Sequence, residues 1–396
     1  MSEKPVIIII FGVSGDLIRR YVLPAIIELD NKKKLPKKFK VIGITRKTSL
    51  NITEILNKDI PKTYKTNHEE ILSMDLNDRK EYKNLTERIE EVESGWQEKA
   101  EILFYLSLPP LISTKIIEKL GQNNFLAKRD IKILIEKPFG IDLKTAKKQI
   151  EIFLKYFKEN QIYRVDHYLF KKIISKIVSF KKKYKLDNES IESIEINALE
   201  EIDVGKRLVF YDKVGAIKDM IQSHLLELTA VVLQDLKNPK TLNQARFDIL
   251  KNLEIIKEQT IKGQYEGYIN REINPVSNTE TFTSINLKSK AKNFKNIIIN
   301  LNTGKALNKK QTYIKVNFKN KKNIFIKEII NKNHNSYEQV ILNAINSKKD
   351  YFISQKEVLA TWKIVDPIIS NPRKNKTKLL IYKKGITIEK IKNKTS

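Results

Sequence analysis

The segment that most constrains this chain is PVIIIIFGVSGDL, residues 5–17. The run from Pro5 to Phe11 is continuously apolar and rich in Ile, the pattern of a parallel strand buried on both faces. Gly12 and Gly15 follow directly. They allow a tight turn into a helix and a close approach of backbone to a diphosphate, whose charge the helix N-terminus favours. Ser14 stands where the second Gly of a full G-x-G-x-x-G would fall, and two glycines alone mark only a turn. Glycine is scarce, however, at 12 of 396 residues, and this pair sits at the first strand-to-helix junction. Gly12, Ser14, Gly15, Asp16 and Leu17 are therefore candidate coenzyme contacts.

Three further strand-like runs follow at Lys40–Thr45, Glu101–Leu108 and Ile131–Phe139. Helical patterns fit between them, around Glu28, from Tyr82 to Val92 and from Ser113 to Leu120. This alternation predicts a doubly wound parallel sheet with right-handed crossovers. After the second strand come Thr45, Arg46 and Lys47, with no carboxylate for a ribose 2′-hydroxyl. A guanidinium can grip a 2′-phosphate with two parallel hydrogen bonds, so Arg46 predicts NADP over NAD. Taken without the glycine turn, the same residues are equally well an exposed basic turn.

From about Asp166 the pattern changes. Ser190–Glu201 and Thr279–Ser289 alternate polar and apolar residues, and Asn296–Asn302 and Thr312–Lys319 are similarly strand-like. They suit an antiparallel sheet with one solvated face. Between them Asp219–Leu236 carries apolar residues at helical spacing. The expected architecture is an α/β Rossmann-type doubly wound domain over residues 1–165. An α+β domain with a large, mainly antiparallel sheet is expected over 166–396. No internal repeat is visible, and the one biased tract is the Lys/Asn-rich tail from Pro372.

Composition excludes several chemistries. Without Cys there is no disulfide, thiolate metal site or Cys nucleophile. Four His in all argue against a zinc site built on a His cluster. The run Val6–Phe11 is far short of the ~20 residues that span a bilayer, and it lacks signal-peptide flanks. A soluble, cytoplasmic protein with no metal and no membrane partner is expected. The charge, 75 − 47 = +28, resembles that of a nucleic-acid binder. Yet the Lys residues are scattered, and the clusters at Lys32–Lys34, Lys181–Lys183 and Lys319–Lys322 are short. Composition bias outweighs nucleic-acid binding.

Two His residues lie in polar clusters, QIYRVDHYLFKK (161–172) and FYDKVGAIKDMIQSHLLEL (210–228). His224 falls five residues after Asp219. A His in such a setting suits a general base whose tautomer a carboxylate holds. A lone helical His is more often packed or at the surface, so spacing alone leaves catalysis a minority reading.

In order along the chain, GVSGDL, YLSLPP (105–110), IEKPFGIDLKTA (135–146), YRVDHYLFKK, the 210–228 block, LNTGKALNKK (301–310) and EVLATWKIVDPI (357–368) resemble segments of the glucose-6-phosphate dehydrogenase family. The resemblance runs nearly end to end. It implies His224 as the base that takes the proton from the anomeric hydroxyl, with Asp166 orienting its imidazole. His167, Tyr168 and Lys171 would bind the substrate phosphate, and Glu200, Asp219, Lys305 and Lys310 the sugar. Lys137 would lie between coenzyme and sugar, beside a Pro138 that is cis in the family. Glucose 6-phosphate as substrate, NADP as coenzyme and a homodimer or dimer of dimers are implied as well.

The chain departs from the family pattern at several places. Tyr21 replaces a Lys, Phe170 a Gly, Lys172 a Glu and Asn302 an Arg, while DVGKRL replaces a glycine-rich segment. A ring at position 170 is expected to displace backbone or point to solvent. Two other readings stay open: a catalytically weakened scaffold acting as a basic binder, and a dehydrogenase that uses another sugar phosphate or NAD.

Overall fold

A computed structural model describes residues 4–46, 68–123, 129–235, 241–269, 275–328, 335–370 and 379–395. Lys47, Leu236 and the start of the Lys/Asn-rich tail at Pro372 lie outside the described residues. The chain divides into two units. The first comprises Met1–Gly140, Lys144–Phe170 and Asn331–Gln355, and the second comprises Ile141–Leu143, Lys171–Ile330 and Lys356–Ser396.

The first unit is built on six strands: β1 (Val6–Phe11), β2 (Phe39–Thr45), β3 (Glu69–Ser73), β4 (Glu101–Leu106), β5 (Ile131–Glu136) and β6 (Ile162–Val165). Their order is β3-β2-β1-β4-β5-β6, and every neighbouring pair is parallel. All residues of β1, β4 and β5 are buried, as continuous apolar runs in a sheet covered on both faces require. The two strands with weak sequence signals are β3, where Glu69 and Glu70 dilute the apolar pattern, and the four-residue β6. The expected helices span Leu23–Asn31, Arg79–Trp96 and Pro110–Gly121. Asp78 caps the second of these by accepting from Lys80 N at 2.9 Å. A π-helical stretch, Ile18–Val22, precedes the first.

A later segment completes this unit. The helix Ser336–Ile345 buries Tyr337, Val340, Ile341 and Ala344. Buried Lys132 on β5 donates to its terminal carbonyls, Ala344 O at 2.8 Å and Ile345 O at 2.9 Å, and pairs with Glu101 at 2.8 Å. A cation there meets carbonyls that no helical N–H can satisfy.

The second unit carries β7 (Ile191–Leu199), β8 (Leu253–Ile255), β9 (Ile261–Tyr265), β10 (Phe282–Ser289), β11 (Ile298–Gly304), β12 (Gln311–Phe318), β13 (Ile324–Lys327) and β14 (Leu379–Tyr382). The order is β13-β12-β7-β11-β10-β9-β14, with β8 paired to β10. Most pairs are antiparallel, but β7–β11 and β9–β14 run parallel, so the sheet is mixed. Strand β12 alternates buried and half-buried residues along its length, the period of a sheet with unlike faces. The helix expected at Asp219–Leu236 is a π-helical segment, Ile217–Leu225, running into an α-helix, Leu226–Leu233. The latter is buried on every side, and its one charge, Glu227, faces Arg246, whose Nε bonds Glu357 Oε1 at 2.6 Å. Such charges stay inside only when paired.

Candidate active site

In the first unit, the glycine turn sits where the strand order reverses, between β2 and β4, which is where open α/β sheets bind ligands. Gly12 and Val13 donate backbone N–H to Ile44 O at 3.1 and 3.2 Å, and Gly15 N bonds Gly12 O at 2.9 Å. Gly12 has φ +83°, and a Cβ there would lie 2.9 Å from Leu108 Cδ2 and 3.0 Å from Ser107 O. Only glycine takes this path without strain. Ser14 and Asp16 are exposed, and Leu17 is half-buried at the start of the helix. Asp16 is paired with Arg19 and Arg20, each at 3.1 Å. Arg46 is exposed immediately after β2. An open, glycine-shaped turn leading into a helix fits the diphosphate of a nicotinamide dinucleotide.

At the far side of the same sheet, β5 ends in Glu136 and β6 in Val165, which are register partners. Asp166 follows, almost fully buried, and accepts the N–H of Tyr168 on Oδ1 at 2.9 Å. His167, half-buried, sets its ring edge-on to Tyr168 at 5.0 Å and stacks on Tyr337 at 6.4 Å. Glu136 is buried and accepts from Tyr105 Oη at 2.5 Å. Burial is the main influence on it and pushes its pKa up to about 7. The Tyr105 hydrogen bond opposes that shift, and the charge of Asp166 adds to it. Lys137 follows Glu136, half-buried, and its bond to Pro138 is cis.

Phe170 does not point to solvent. It is buried, with its ring 5.2 Å from Phe352 in a T-shaped contact and 6.4 Å from Tyr351. The segment 331–355 supplies those aromatic partners, and a sequence read locally gives no sign of them. Tyr21 is half-exposed, 6.0 Å from the Tyr337 ring.

In the second unit, Glu200 follows β7 and Lys305 follows β11, two paired parallel strands, so their side chains leave the sheet together. Lys305 is buried, bonds Glu200, and lies 3.8 Å from Asp219 Oδ2. Its ammonium also sits over the Tyr211 ring at 5.2 Å. Burial raises the Tyr211 phenol well above its ordinary pKa, and Asp219 adds to the shift. His224 is buried on the same helical stretch as Asp219. Lys171 pairs with Glu328 at 3.2 Å, and Lys310 is exposed at the mouth of β12. Asn302, where the family has Arg, is wholly buried in β11 and donates to Asn197 at 2.9 Å and Asn300 at 2.6 Å.

Each unit thus gathers part of the candidate set. The first holds the glycine turn, Arg46, Lys137, Asp166, His167 and Tyr168; the second holds Lys171, Glu200, Asp219, His224, Lys305 and Lys310. Sequence reasoning did not single out Tyr105, Glu136, Tyr337, Tyr211 or Glu328. Three of these lie inside blocks that carry the resemblance, Tyr105 in YLSLPP, Glu136 in E-K-P-F-G and Tyr211 in the 210–228 block, whereas Tyr337 and Glu328 lie in none.

The family model described as glucose-6-phosphate dehydrogenase, NAD binding domain, matches residues 9–176. Its companion, the C-terminal domain of the same enzyme, matches 180–334 and 326–392. The chain is 28% identical to glucose-6-phosphate 1-dehydrogenase of Helicobacter pylori, covering 95% of each chain. It is 32% identical to the Borreliella burgdorferi enzyme of that name, covering 79% of this chain and 71% of the other. A solved glucose-6-phosphate dehydrogenase in complex with its substrate glucose-6-phosphate superposes with a TM-score of 0.87 at 21% identity, covering 100% of this chain and 98% of that one. The Mycobacterium avium glucose-6-phosphate 1-dehydrogenase gives 0.83 at 23% identity, covering 97% and 95%. Among the described residues no helix is long and apolar enough to cross a membrane. With both halves of the chain matched in order, this protein belongs to the glucose-6-phosphate dehydrogenase family.

Proposed function

We propose that the protein oxidises glucose 6-phosphate to 6-phosphogluconolactone with NADP, the opening reaction of the oxidative pentose phosphate pathway. The observation that carries this reading is the buried Lys305 held between Glu200 and Asp219, with His224 five residues further along the π-helical stretch that bears Asp219. A sugar offers hydroxyls that both donate and accept, and this mixed array suits them.

His224 takes the proton from the hydroxyl on C1, and Asp166 orients the imidazole and stabilises its cationic form. When bound, the coenzyme supplies the carbon that accepts the hydride leaving C1. His167, Tyr168 and Lys171 hold the substrate phosphate, to which cations and a phenol are suited donors. Glu200, Asp219, Lys305 and Lys310 fix the sugar hydroxyls. Gly12, Ser14, Gly15, Asp16 and Leu17 form the diphosphate turn, Arg46 reads the 2′-phosphate, and Lys137 lies between the two ligands. The domain assignment, 1–165 for coenzyme and 166–396 for substrate and dimerisation, and a cytoplasmic homodimer or dimer of dimers, complete the proposal.

The test mixes purified protein with glucose 6-phosphate and NADP and follows absorbance of the reduced nicotinamide. His224→Asn is expected to lose most of kcat, on the order of 10³-fold or more, with substrate binding largely kept. A near-normal kcat would exclude His224 as the base. Arg46→Ala should shift the kcat/KM ratio from NADP toward NAD, and an unchanged ratio removes Arg46 from 2′-phosphate recognition.

A further inference from the structure

The helical stretch bearing Asp219 and His224 begins at Ile217 with Ala216 as its N-cap, and alanine has no side-chain oxygen for the first amides. The first turn of any helix leaves N–H groups without intrahelical partners. Here they are met from another part of the chain. Glu280, just ahead of β10, accepts the N–H of Ile217 on Oε1 at 3.0 Å, and its own carbonyl accepts the N–H of Ala216, also at 3.0 Å. Gly215 makes room for this. A Cβ on Gly215 would fall 2.5 Å from Glu280 Oε1 and 2.9 Å from its Cδ, and the residue has φ +67°. The carboxyl therefore lies flat against the chain where the helix starts.

The segment that carries Glu280 is itself tied down on both sides. Thr279 Oγ1 donates to Asp212 O at 2.6 Å, and Tyr268 Oη donates to the Asp212 carboxylate at 2.9 Å. Ser277 Oγ donates to the same Asp212 oxygen. Beyond Glu280, Thr281 N bonds Gly263 O on β9 at 2.8 Å, and Thr281 Oγ1 bonds Tyr382 Oη at 2.8 Å. Tyr382 Oη in turn donates to Lys305 O at 2.8 Å. One continuous set of bonds thus links the start of the helix to the backbone of the lysine that pairs with Glu200 and Asp219.

We infer that Glu280 is a positioning residue: clamped under Gly215, it fixes the start of the helical stretch and so sets where Asp219 and His224 point. The inference rests on the proposed roles of those two side chains. Geometry of this kind matters because small misplacements of a reacting group are magnified in kcat. Desolvation raises the carboxyl's pKa and the Ile217 amide opposes the shift, so an uncharged acceptor of the same shape suits the position.

The experiment compares Glu280→Gln, Glu280→Ala and Gly215→Ala. Glutamine keeps a carbonyl oxygen for Ile217 and is expected to hold kcat within about twofold of wild type. Alanine removes the acceptor, and Gly215→Ala pushes it aside; each is expected to lower kcat roughly 10- to 100-fold with KM for glucose 6-phosphate changed less than about threefold. The second readout needs no activity. His224→Asn identifies the His224 imidazole signal among the four His in a proton NMR spectrum. In Glu280→Ala and Gly215→Ala that signal should move while the His68 signal stays. A His224 signal unmoved in both variants, or a Glu280→Gln variant as impaired as Glu280→Ala, overturns the inference. If instead His224→Asn keeps full activity, the catalytic reading fails and the NMR shift still decides whether Glu280 positions the helix.

Discussion

Tyr105 donates its hydroxyl hydrogen to Glu136 Oε1 at 2.5 Å, linking neighbouring parallel strands beneath the turn that carries Asp166. Burial raises the Glu136 pKa from 4.5 to about 7. The folded protein therefore holds a proton that the unfolded chain releases first. Stability from this group is fully present below pH 4.5 and drains away as pH rises to about 7, by about 3 kcal/mol. Glu136→Gln, which mimics the protonated acid, should remove that loss. Urea unfolding of both proteins from pH 4.5 to 8 checks it: the two stability curves should diverge as pH rises, and parallel curves would refute the assignment.

Phe170 fills space against Phe352 and Tyr351. Phe170→Ala should cost about 3–5 kcal/mol, the usual range for emptying a buried aromatic site. A calorimetric Tm unchanged from wild type would show that the ring is not part of the core.

Gly12 and Gly95 offer a matched pair. Gly12→Ala puts a methyl group against Leu108 and Ser107 at a left-handed φ and should cost about 1–3 kcal/mol, with affinity for the nicotinamide coenzyme weakened about tenfold. Gly95 lies in the helix Arg79–Trp96 with nothing within 4 Å of a Cβ, so Gly95→Ala should add about 0.5–1 kcal/mol. Equal effects at the two positions, read by denaturant midpoint and by coenzyme titration, would contradict the shape assigned to the turn.

Lys305 and Glu200 should be coupled. Lys305→Met leaves Glu200 and Asp219 facing each other without their shared cation, and the expected loss is about 2–3 kcal/mol. Adding Glu200→Gln should recover about 1 kcal/mol of it, because one of the stranded charges is gone. The comparison is a double-mutant cycle by urea unfolding; strict additivity would mean that the contact carries no energy.

The first unit was largely legible because its strands are buried on both faces, so β1, β2, β4 and β5 announce themselves as apolar runs. Strand β3 did not, since one of its two glutamates, Glu70, finds cationic partners in both Lys40 and Arg88, which no local pattern reveals. In the second unit, alternation located the strands but not their neighbours. The parallel β7–β11 pairing joins segments about a hundred residues apart and is set by tertiary packing. The candidate site followed the same rule. Motif order nominated Asp166, His224, Lys305 and Glu200, whereas Tyr105 and Tyr337 meet Glu136, beside the charge of Asp166, only after β4, β5 and a helix from residue 336 onward have come together. The solvent-facing alternative for Phe170 failed for that reason, its partners being some 180 residues downstream.

The return of the helix Ser336–Ile345 to the first unit bears on how the protein is made. A ribosome that has released residues 1–170 has delivered every strand of the parallel sheet, yet Lys132 still lacks the carbonyls of Ala344 and Ile345. The nascent amino-terminal half must wait through the synthesis of most of the second sheet before that gap is closed. Maturation of the coenzyme-binding half is thereby tied to completion of its companion, and a fragment ending near residue 170 would be left with an unsealed apolar flank.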